Sequence, residues 1–169
     1  MAPELGIDVS AFDHSPITGI HLWFDRPITE LPHATLLDRT LQWMFNKGQG
    51  KYLQLVVSAS RALSSMPKGD VIAMALRELA EFFPAARTAT LERAHVVKEI
   101  RATFSALPHL EPRRPGPTTA AANLFLAGDW TRSGWPATME GAVRSGYIAA
   151  EAVSSAAGKP EKFLLTDLG

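Results

Sequence analysis

LFLAGDWTRSGWPATMEGAVRSGYIAAEAV, the stretch from Leu124 to Val153, has the clearest order of predicted elements in the chain. The run Asn123–Asp129 is short, apolar and ended by glycine and an acid, which predicts a strand buried on both faces. Pro136 suits the first turn of a helix that Gly158 and Pro160 end. Backbone N–H groups at a helix start lack intrahelical acceptors and carry part of a positive charge, so an electron-rich ligand edge is stabilised there.

The predicted helix carries an apolar row and a small row. The apolar row is Met139, Ala142, Val143, Gly146, Ala149, Ala150 and Val153, and the small row is Gly141, Ala142, Ser145, Gly146, Ala149 and Ala150. Glycine weakens a helix and small side chains pack little surface, so another group is expected close to the backbone. Asp129 stands at the carboxyl end of the predicted strand, where an acid can accept hydrogen bonds from sugar-like hydroxyls. The stretch is therefore a candidate ligand site.

Upstream, the alternation of apolar residues predicts a strand and a hairpin. In SPITGIHLWFDRPI, which starts at Ser15, the residues on one face are Ile20, Leu22 and Phe24. Two further runs flank residues 46–50, whose glycines suit a hairpin turn. The alternating residues of these runs are Leu41, Trp43 and Phe45, then Leu53, Leu55 and Val57. Because large aromatic rings dominate cores, we expect Trp23, Phe24, Trp43 and Phe45 in the sheet core, with substrate lining as the alternative.

A helix, a strand and a loop are predicted next. Asp70 suits the N-cap of a helix that ends at Pro84. Its apolar residues recur at helical spacing: Val71, Ile72, Ala75, Leu76, Leu79, Phe82 and Phe83. Residues 93–104 are rich in β-branched and aromatic types, which predicts a strand whose apolar face Lys98 interrupts. The proline-rich residues 108–117 predict an irregular loop. Arg113 and Arg114 are expected to form a solvated pair in it, with an anion clamp as the alternative.

Composition restricts the class of protein. The chain has 169 residues, which suits one ordinary domain, and 17 basic residues balance 17 acidic ones, so no nucleic-acid partner is indicated. The absence of cysteine favours the cytoplasm, and any membrane contact is expected to be peripheral, at the inner membrane surface. The five histidines lack metal-ligand spacing, so no metal site is predicted. Ser133 and Ser145 lack the Gly-x-Ser-x-Gly pattern of a hydrolase nucleophile.

LFLAGDWT followed by GWPATMEGAVRSG resembles the carboxy-terminal flavin signature of the flavin amine oxidase and phytoene desaturase superfamily, nearest to its hydroxysqualene dehydroxylases. SPITGIHLWFDRPI and the LQWMFNK stretch from Leu41 to Lys47 also resemble segments of those enzymes. The resemblance implies FAD as the cofactor. It implies that Gly128 and Asp129 lie along the ribityl and diphosphate chain of the cofactor. It also implies that Thr138, Met139 and Glu140 lie at the isoalloxazine ring. Near the ring or the substrate cavity it implies Trp130, Trp135 and Pro136.

The family's dinucleotide-binding βαβ unit, with its Gly-x-Gly-x-x-Gly loop, has no counterpart in this sequence. By resemblance, we expect the carboxy-terminal part of a longer enzyme, inactive without an amino-terminal FAD-binding part in the same or a separate chain. The expected fold is α+β. Residues 1–117 would form an antiparallel substrate-domain sheet with a covering helix, residues 118–158 the final strand and helix of a Rossmann-like FAD-binding domain, and residues 159–169 a tail.

The function that the resemblance implies is FAD-dependent oxidoreduction of a polyisoprenoid, with reductive removal of the hydroxyl of hydroxysqualene to give squalene in hopanoid biosynthesis. A phytoene-type desaturase, or another flavin amine oxidase relative, is the alternative, since the same flavin also runs in the oxidative direction. A non-catalytic lipid- or partner-binding module without cofactor is an alternative of another class. Because the flavin carries the chemistry and the protein positions the substrate, no catalytic side chain is assigned.

Overall fold

The computed structural model describes residues 3–165, and for residue 3 only the backbone. The chain forms two compact units. The sheet unit is His14–Thr103, and the loop-helix unit consists of the described residues up to Asp13 and from Phe104 onward. The domain bounds predicted at residues 117 and 158 stay predictions. Among the described residues, no helix has the length and apolarity that crossing a membrane requires.

A five-stranded sheet confirms the predicted antiparallel part of the α+β class, with the spatial order β2-β3-β4-β1-β5. Its strands are β1 His14–Phe24, β2 His33–Thr35, β3 Trp43–Gly48, β4 Tyr52–Ser58 and β5 Leu91–Phe104. The β3–β4 pair is the predicted hairpin, and β4 also pairs antiparallel with β1. The strand predicted over residues 93–104 is confirmed as β5.

The helices within the described residues are α1 Arg61–Ser64, α2 Lys68–Phe82 and α3 Met139–Ala156. Short 3-10 turns occupy Pro3–Leu5, Pro84–Arg87 and Glu111–Arg113. The predicted helix is confirmed as α2, but Asp70 is not its N-cap. Pro67 takes that position, and the Asp70 N–H already donates to the Pro67 carbonyl oxygen at 3.0 Å. Asp70 lies in the first turn, where a carboxylate interacts favourably with the helix dipole.

The core of the sheet unit combines one face of the sheet with α2. The predicted inward face of β1 is confirmed, because Ile20, Leu22 and Phe24 are buried. The other buried residues of this cluster include Leu53, Leu55 and Val57 of β4 and Val71, Ala75 and Leu79 of α2. Full burial of a large aliphatic side chain contributes about 1.5–3 kcal/mol. The strand alternation and the helical spacing therefore direct their apolar residues to the same core.

The aromatic residues of the sheet were predicted in this core, and the prediction holds only for Phe24. It is wrong for Trp43, which is 40% exposed, and for Trp23 and Phe45, which are half-buried. Successive side chains of a strand point to opposite faces. Met44 takes the inward position of β3, so its two aromatic neighbours face the other side, as Trp23 does beside Phe24.

Lys98 interrupts the apolar pattern of β5 because it binds the end of α1. Its ammonium group donates to the carbonyl oxygen of Ser64 at 3.3 Å and to that of Met66. Carbonyl groups at the carboxyl end of a helix lack intrahelical partners, and a lysine supplies donors there. Lys98 thus joins α1 to the sheet.

The predicted buried strand Asn123–Asp129 does not form. An isolated antiparallel bridge joins Thr118 to Phe125, and Leu124 is 41% exposed. A strand buried on both faces needs hydrogen-bonded neighbours along its length. The backbone turns instead, with the Leu124 N–H donating to the Ala121 carbonyl oxygen at 3.1 Å. This part of the loop-helix unit is therefore a loop.

Candidate functional site

A buried arginine organises the loop that leads into α3. The side chain of Arg114 is 4% exposed. Its guanidinium donates to the backbone carbonyl oxygens of Asp129 at 2.9 Å and Trp135 at 2.8 Å, and to that of Thr131. It also pairs with a carboxylate oxygen of Glu111 at 2.7 Å. One side chain therefore fixes three points of the loop.

The predicted solvated pair is thus half right, because Arg113 is exposed and Arg114 is buried. A buried guanidinium is stable only where acceptors surround it, and the loop carbonyls supply them. Within the described residues, Nε of Arg114 has no hydrogen-bond partner. The acceptors lie 15 to 21 residues further along the chain, so no local pattern in the sequence reveals this role.

Gly128 begins the loop with a φ of 137°, a conformation that glycine adopts without strain. A Cβ at this position would lie 2.7 Å from the ring of Trp130. The Gly128 N–H donates to the hydroxyl of Ser145 at 2.7 Å, and that hydroxyl donates to the Ala142 carbonyl oxygen at 2.6 Å. The sequence predicted another group close to the small row of the helix. At Ser145 this group is the chain's own loop.

The helix α3 begins at Met139, not with Pro136 in its first turn as predicted. Thr138 is the N-cap, with extended backbone, and its side-chain oxygen accepts from the Gly141 N–H at 3.0 Å. A Cβ on Gly141 would lie 2.4 Å from the Pro136 carbonyl oxygen. The chain therefore turns so tightly before the helix that Pro136 remains in the loop.

The first turn of α3 is accessible. Met139 is 89% exposed, and the buried residues of this helix are Gly141 and Ser145 rather than the predicted apolar row. Glu140 pairs with Arg144 at 3.5 Å, and the guanidinium of Arg144 lies 5.1 Å from the ring centroid of Trp135.

The predicted cofactor residues form one continuous segment: Gly128, Asp129, Trp135, Pro136, Thr138, Met139 and Glu140.

This segment fits one edge of a flavin cofactor. A capped helix start offers backbone N–H groups to an electron-rich ring edge, and no large buried side chain blocks the first turn. Hydrogen bonds with Arg114 and Ser145 fix the loop that precedes the helix. The direct contacts of each residue with FAD stay predictions.

The tail after α3 is held by one carboxylate. Glu151 accepts hydrogen bonds from the N–H groups of Phe163 and Leu164, both at 2.9 Å, and from Lys162 Nζ at 3.0 Å. The backbone N–H groups, and after them the Lys162 side chain, lower the pKa of Glu151 from 4.5 to about 2. The charged carboxylate is therefore the form that binds the tail.

We expect the tail to leave α3 in acid. Because the pKa of Glu151 is lower in the folded than in the unfolded chain, its stabilisation is complete above pH 4.5 and is lost as the pH falls towards about 2. NMR amide shifts of Phe163 and Leu164 would follow the titration. In Glu151→Gln these shifts should already differ at neutral pH and should no longer titrate. Shifts in the unchanged chain that stay constant over this range would contradict the prediction.

Comparison with known proteins identifies the family of this chain. Residues 9–154 match the family described as flavin containing amine oxidoreductase. The chain belongs to this family. It is 37% identical over 135 residues to hydroxysqualene dehydroxylase of Sinorhizobium fredii, covering 80% of this chain and 31% of the relative. It is 40% identical over 131 residues to hydroxysqualene dehydroxylase of Rhodopseudomonas palustris, covering 77% of this chain and 30% of the relative. It is 30% identical over 176 residues to 15-cis-phytoene desaturase of an Oncidium hybrid cultivar, covering 90% of this chain and 30% of the relative.

Membership of the flavin containing amine oxidoreductase family implies FAD as the cofactor. The chain spans 31% of the length of the Sinorhizobium relative and 30% of that of the Rhodopseudomonas relative. The described residues supply an antiparallel sheet and a helix start that fit one part of such an enzyme.

Proposed function

We propose that this chain supplies the substrate-binding sheet and the carboxy-terminal flavin segment of an FAD-dependent oxidoreductase acting on a polyisoprenoid. The proposed reaction is reductive removal of the hydroxyl of hydroxysqualene to give squalene, in hopanoid biosynthesis. The observation that carries it is sequence identity. The identity is 37% and 40% to two hydroxysqualene dehydroxylases, compared with 29% to 31% for six carotenoid desaturases.

The proposed roles in cofactor binding follow the order of the chain. FAD supplies the hydride chemistry when it is bound. Gly128 allows backbone to approach the cofactor's ribityl and diphosphate chain, and Asp129 accepts hydrogen bonds from hydroxyls. Thr138 fixes the start of α3 by capping it, so that the N–H groups of Met139 and Glu140 can donate to the ring edge. Trp135 and Pro136 exclude water beside the ring.

The rest of the cofactor site is proposed to come from a dinucleotide-binding part with a Gly-x-Gly-x-x-Gly loop, in the same or a separate chain. In that assembly residues 123–129 would pair as a strand of the Rossmann-like FAD-binding domain. The apolar run with a single isolated bridge supports this proposal, because such a run gains most from hydrogen-bonded neighbours. We propose that the assembled enzyme lies in the cytoplasm, in peripheral contact with the inner membrane surface.

A phytoene-type desaturase is the second candidate. The phytoene desaturase of the Oncidium hybrid matches 90% of this chain, and the flavin segment alone does not fix the direction of hydride transfer. A cofactor-free lipid- or partner-binding module remains the candidate from another class. Product analysis separates the two enzymes, and flavin binding separates both of them from the module.

Visible absorption tests the proposal. The chain would be purified alone and with the amino-terminal dinucleotide-binding part of a hydroxysqualene dehydroxylase supplied in trans. We expect the flavin bands to stay with protein only when both parts are present, and the assembly to convert hydroxysqualene to squalene under reducing conditions. Flavin retained with desaturation of phytoene would favour the second candidate. Flavin absent from both samples would contradict the proposed function.

Asp129→Ala should weaken flavin binding in the assembled enzyme. Loss of one charge-assisted hydrogen bond costs about 1.5–3 kcal/mol, which is tenfold or more in the dissociation constant. Flavin titration by fluorescence would measure it. Glu161→Ala, which removes an exposed acid in the tail, is the matched control and should leave the affinity unchanged. Equal affinity in both variants would remove Asp129 from the site.

A further inference from the structure

The face of the sheet opposite its core is aromatic. This aromatic face consists of His21, Trp23, Trp43, Phe45 and Tyr52. The rings of Trp23 and Tyr52 stack with centroids 4.5 Å apart and an interplanar angle of 8°. Trp43 and Phe45 stack at 6.0 Å and 12°. Flat, rigid rings that remain half-buried or exposed form a surface suited to long hydrocarbon chains.

A hydrogen-bonded polar pair lies within the aromatic face, beside Gln54, which is in register with both His21 and Phe45. Nδ1 of His21 and the hydroxyl of Tyr52 are 2.8 Å apart and share a hydrogen bond. The His21 ring lies 6.1 Å from Trp23 and 6.3 Å from His95, and the guanidinium of Arg93 lies 4.7 Å from the Trp23 ring centroid. Burial, and after it the charge of His95, lowers the pKa of His21. The imidazole is therefore neutral near neutral pH, and the pair keeps both donor and acceptor capacity.

A hydrogen-bonding pair among aromatic rings distinguishes ligands by their polar groups. A hydrocarbon can cover the rings but leaves the donor and acceptor without a partner, which costs free energy. An alcohol of the same length covers the rings and satisfies the pair. Sites that bind a substrate hydroxyl reject the analogue without it for this reason.

We propose that the His21–Tyr52 pair binds the hydroxyl of a hydroxylated polyisoprenoid whose hydrocarbon chain lies on the aromatic face. This inference rests on the proposed function and deepens it, because it identifies the residues that select an alcohol over a hydrocarbon. It concerns binding, so it can be tested on the chain without flavin and without turnover.

The experiment compares hydroxysqualene with squalene as ligands of the full chain. The aromatic face holds two of the four tryptophans, so quenching of tryptophan fluorescence reports binding of each ligand from detergent micelles. We expect hydroxysqualene to bind about three- to tenfold more tightly, which is the effect of one neutral hydrogen bond. Tyr52→Phe should abolish that preference, because it weakens hydroxysqualene binding and removes a polar group that squalene leaves without a partner. His21→Phe, which keeps a ring at the position, should do the same.

The chain offers a matched control, since Tyr147 is its other tyrosine and lies exposed on α3. Tyr147→Phe should keep the full preference for the alcohol. Equal binding of both ligands, binding of neither, or equal effects of the two tyrosine variants would overturn the inference. An assembled enzyme that binds hydroxysqualene preferentially but does not reduce it would contradict the proposed function and leave this inference standing.

Discussion

Replacing Gly50 by alanine is expected to destabilise the sheet unit by about 3 kcal/mol or more, because a positive φ and a backbone clash act together. Gly50 has a φ of 79° in the turn between β3 and β4. A Cβ there would lie 2.4 Å from the Thr29 carbonyl oxygen and 3.0 Å from Pro27 Cβ. The position is buried, and the Gly50 carbonyl accepts from the Ile28 N–H at 2.9 Å, so the backbone has little freedom to move away.

Urea unfolding followed by far-UV circular dichroism would measure this loss. Gly69→Ala is the matched control in the same unit, since a Cβ at Gly69 meets nothing within 4 Å and the residue lies in the first turn of α2. Alanine is the better helix former by about 1 kcal/mol, so the control should be neutral or stabilising. Two variants of equal stability would show that the turn relaxes around the added methyl group.

The sequence predicted elements whose signal is local. Alternation along β1 and helical spacing along α2 identified both elements and the inward residues Ile20, Leu22 and Phe24. The glycines of residues 46–50 predicted the hairpin turn for the reason that the structure shows at Gly50, a positive φ. These predictions succeed because a period of two or of 3.6 residues is set by backbone geometry alone.

Predictions that depended on distant neighbours were less successful. Trp43 faces away from the core because its neighbour Met44 pairs with the inward-facing Leu55 of β4. Alternation within one strand does not reveal this pairing. Residues 123–129 carry the composition of a buried strand, but a strand also needs partners for its backbone groups. The proposed flavin segment, residues 128–140, stays a prediction from resemblance, and that resemblance did not indicate the groups that hold its loop in shape, Arg114 and Ser145.

Arg114→Met is the second change with a large expected effect, because it removes the donors that the loop carbonyls share. Thr131 would keep a buried carbonyl group without this partner, and Asp129 and Trp135 would keep half-buried ones. Each unsatisfied buried acceptor costs about 1–3 kcal/mol, so the loss should reach about 3 kcal/mol for the loop-helix unit. Arg114→Lys should recover only part of it, since an ammonium group lacks the planar fork of donors.

The neighbouring arginine makes the comparison specific. Arg113→Met changes the same charge by the same side chain at an exposed position and should shift stability by about 0.5 kcal/mol or less. In chains with Trp23 and Trp43 replaced by phenylalanine, unfolding followed by the fluorescence of Trp130 and Trp135 would report on the loop itself. In the assembled enzyme, Arg114→Met should also release flavin while Arg113→Met retains it, because the proposed contacts of Asp129 depend on a loop of fixed shape. Equal behaviour of the two variants would mean that the buried guanidinium is not what orders this loop.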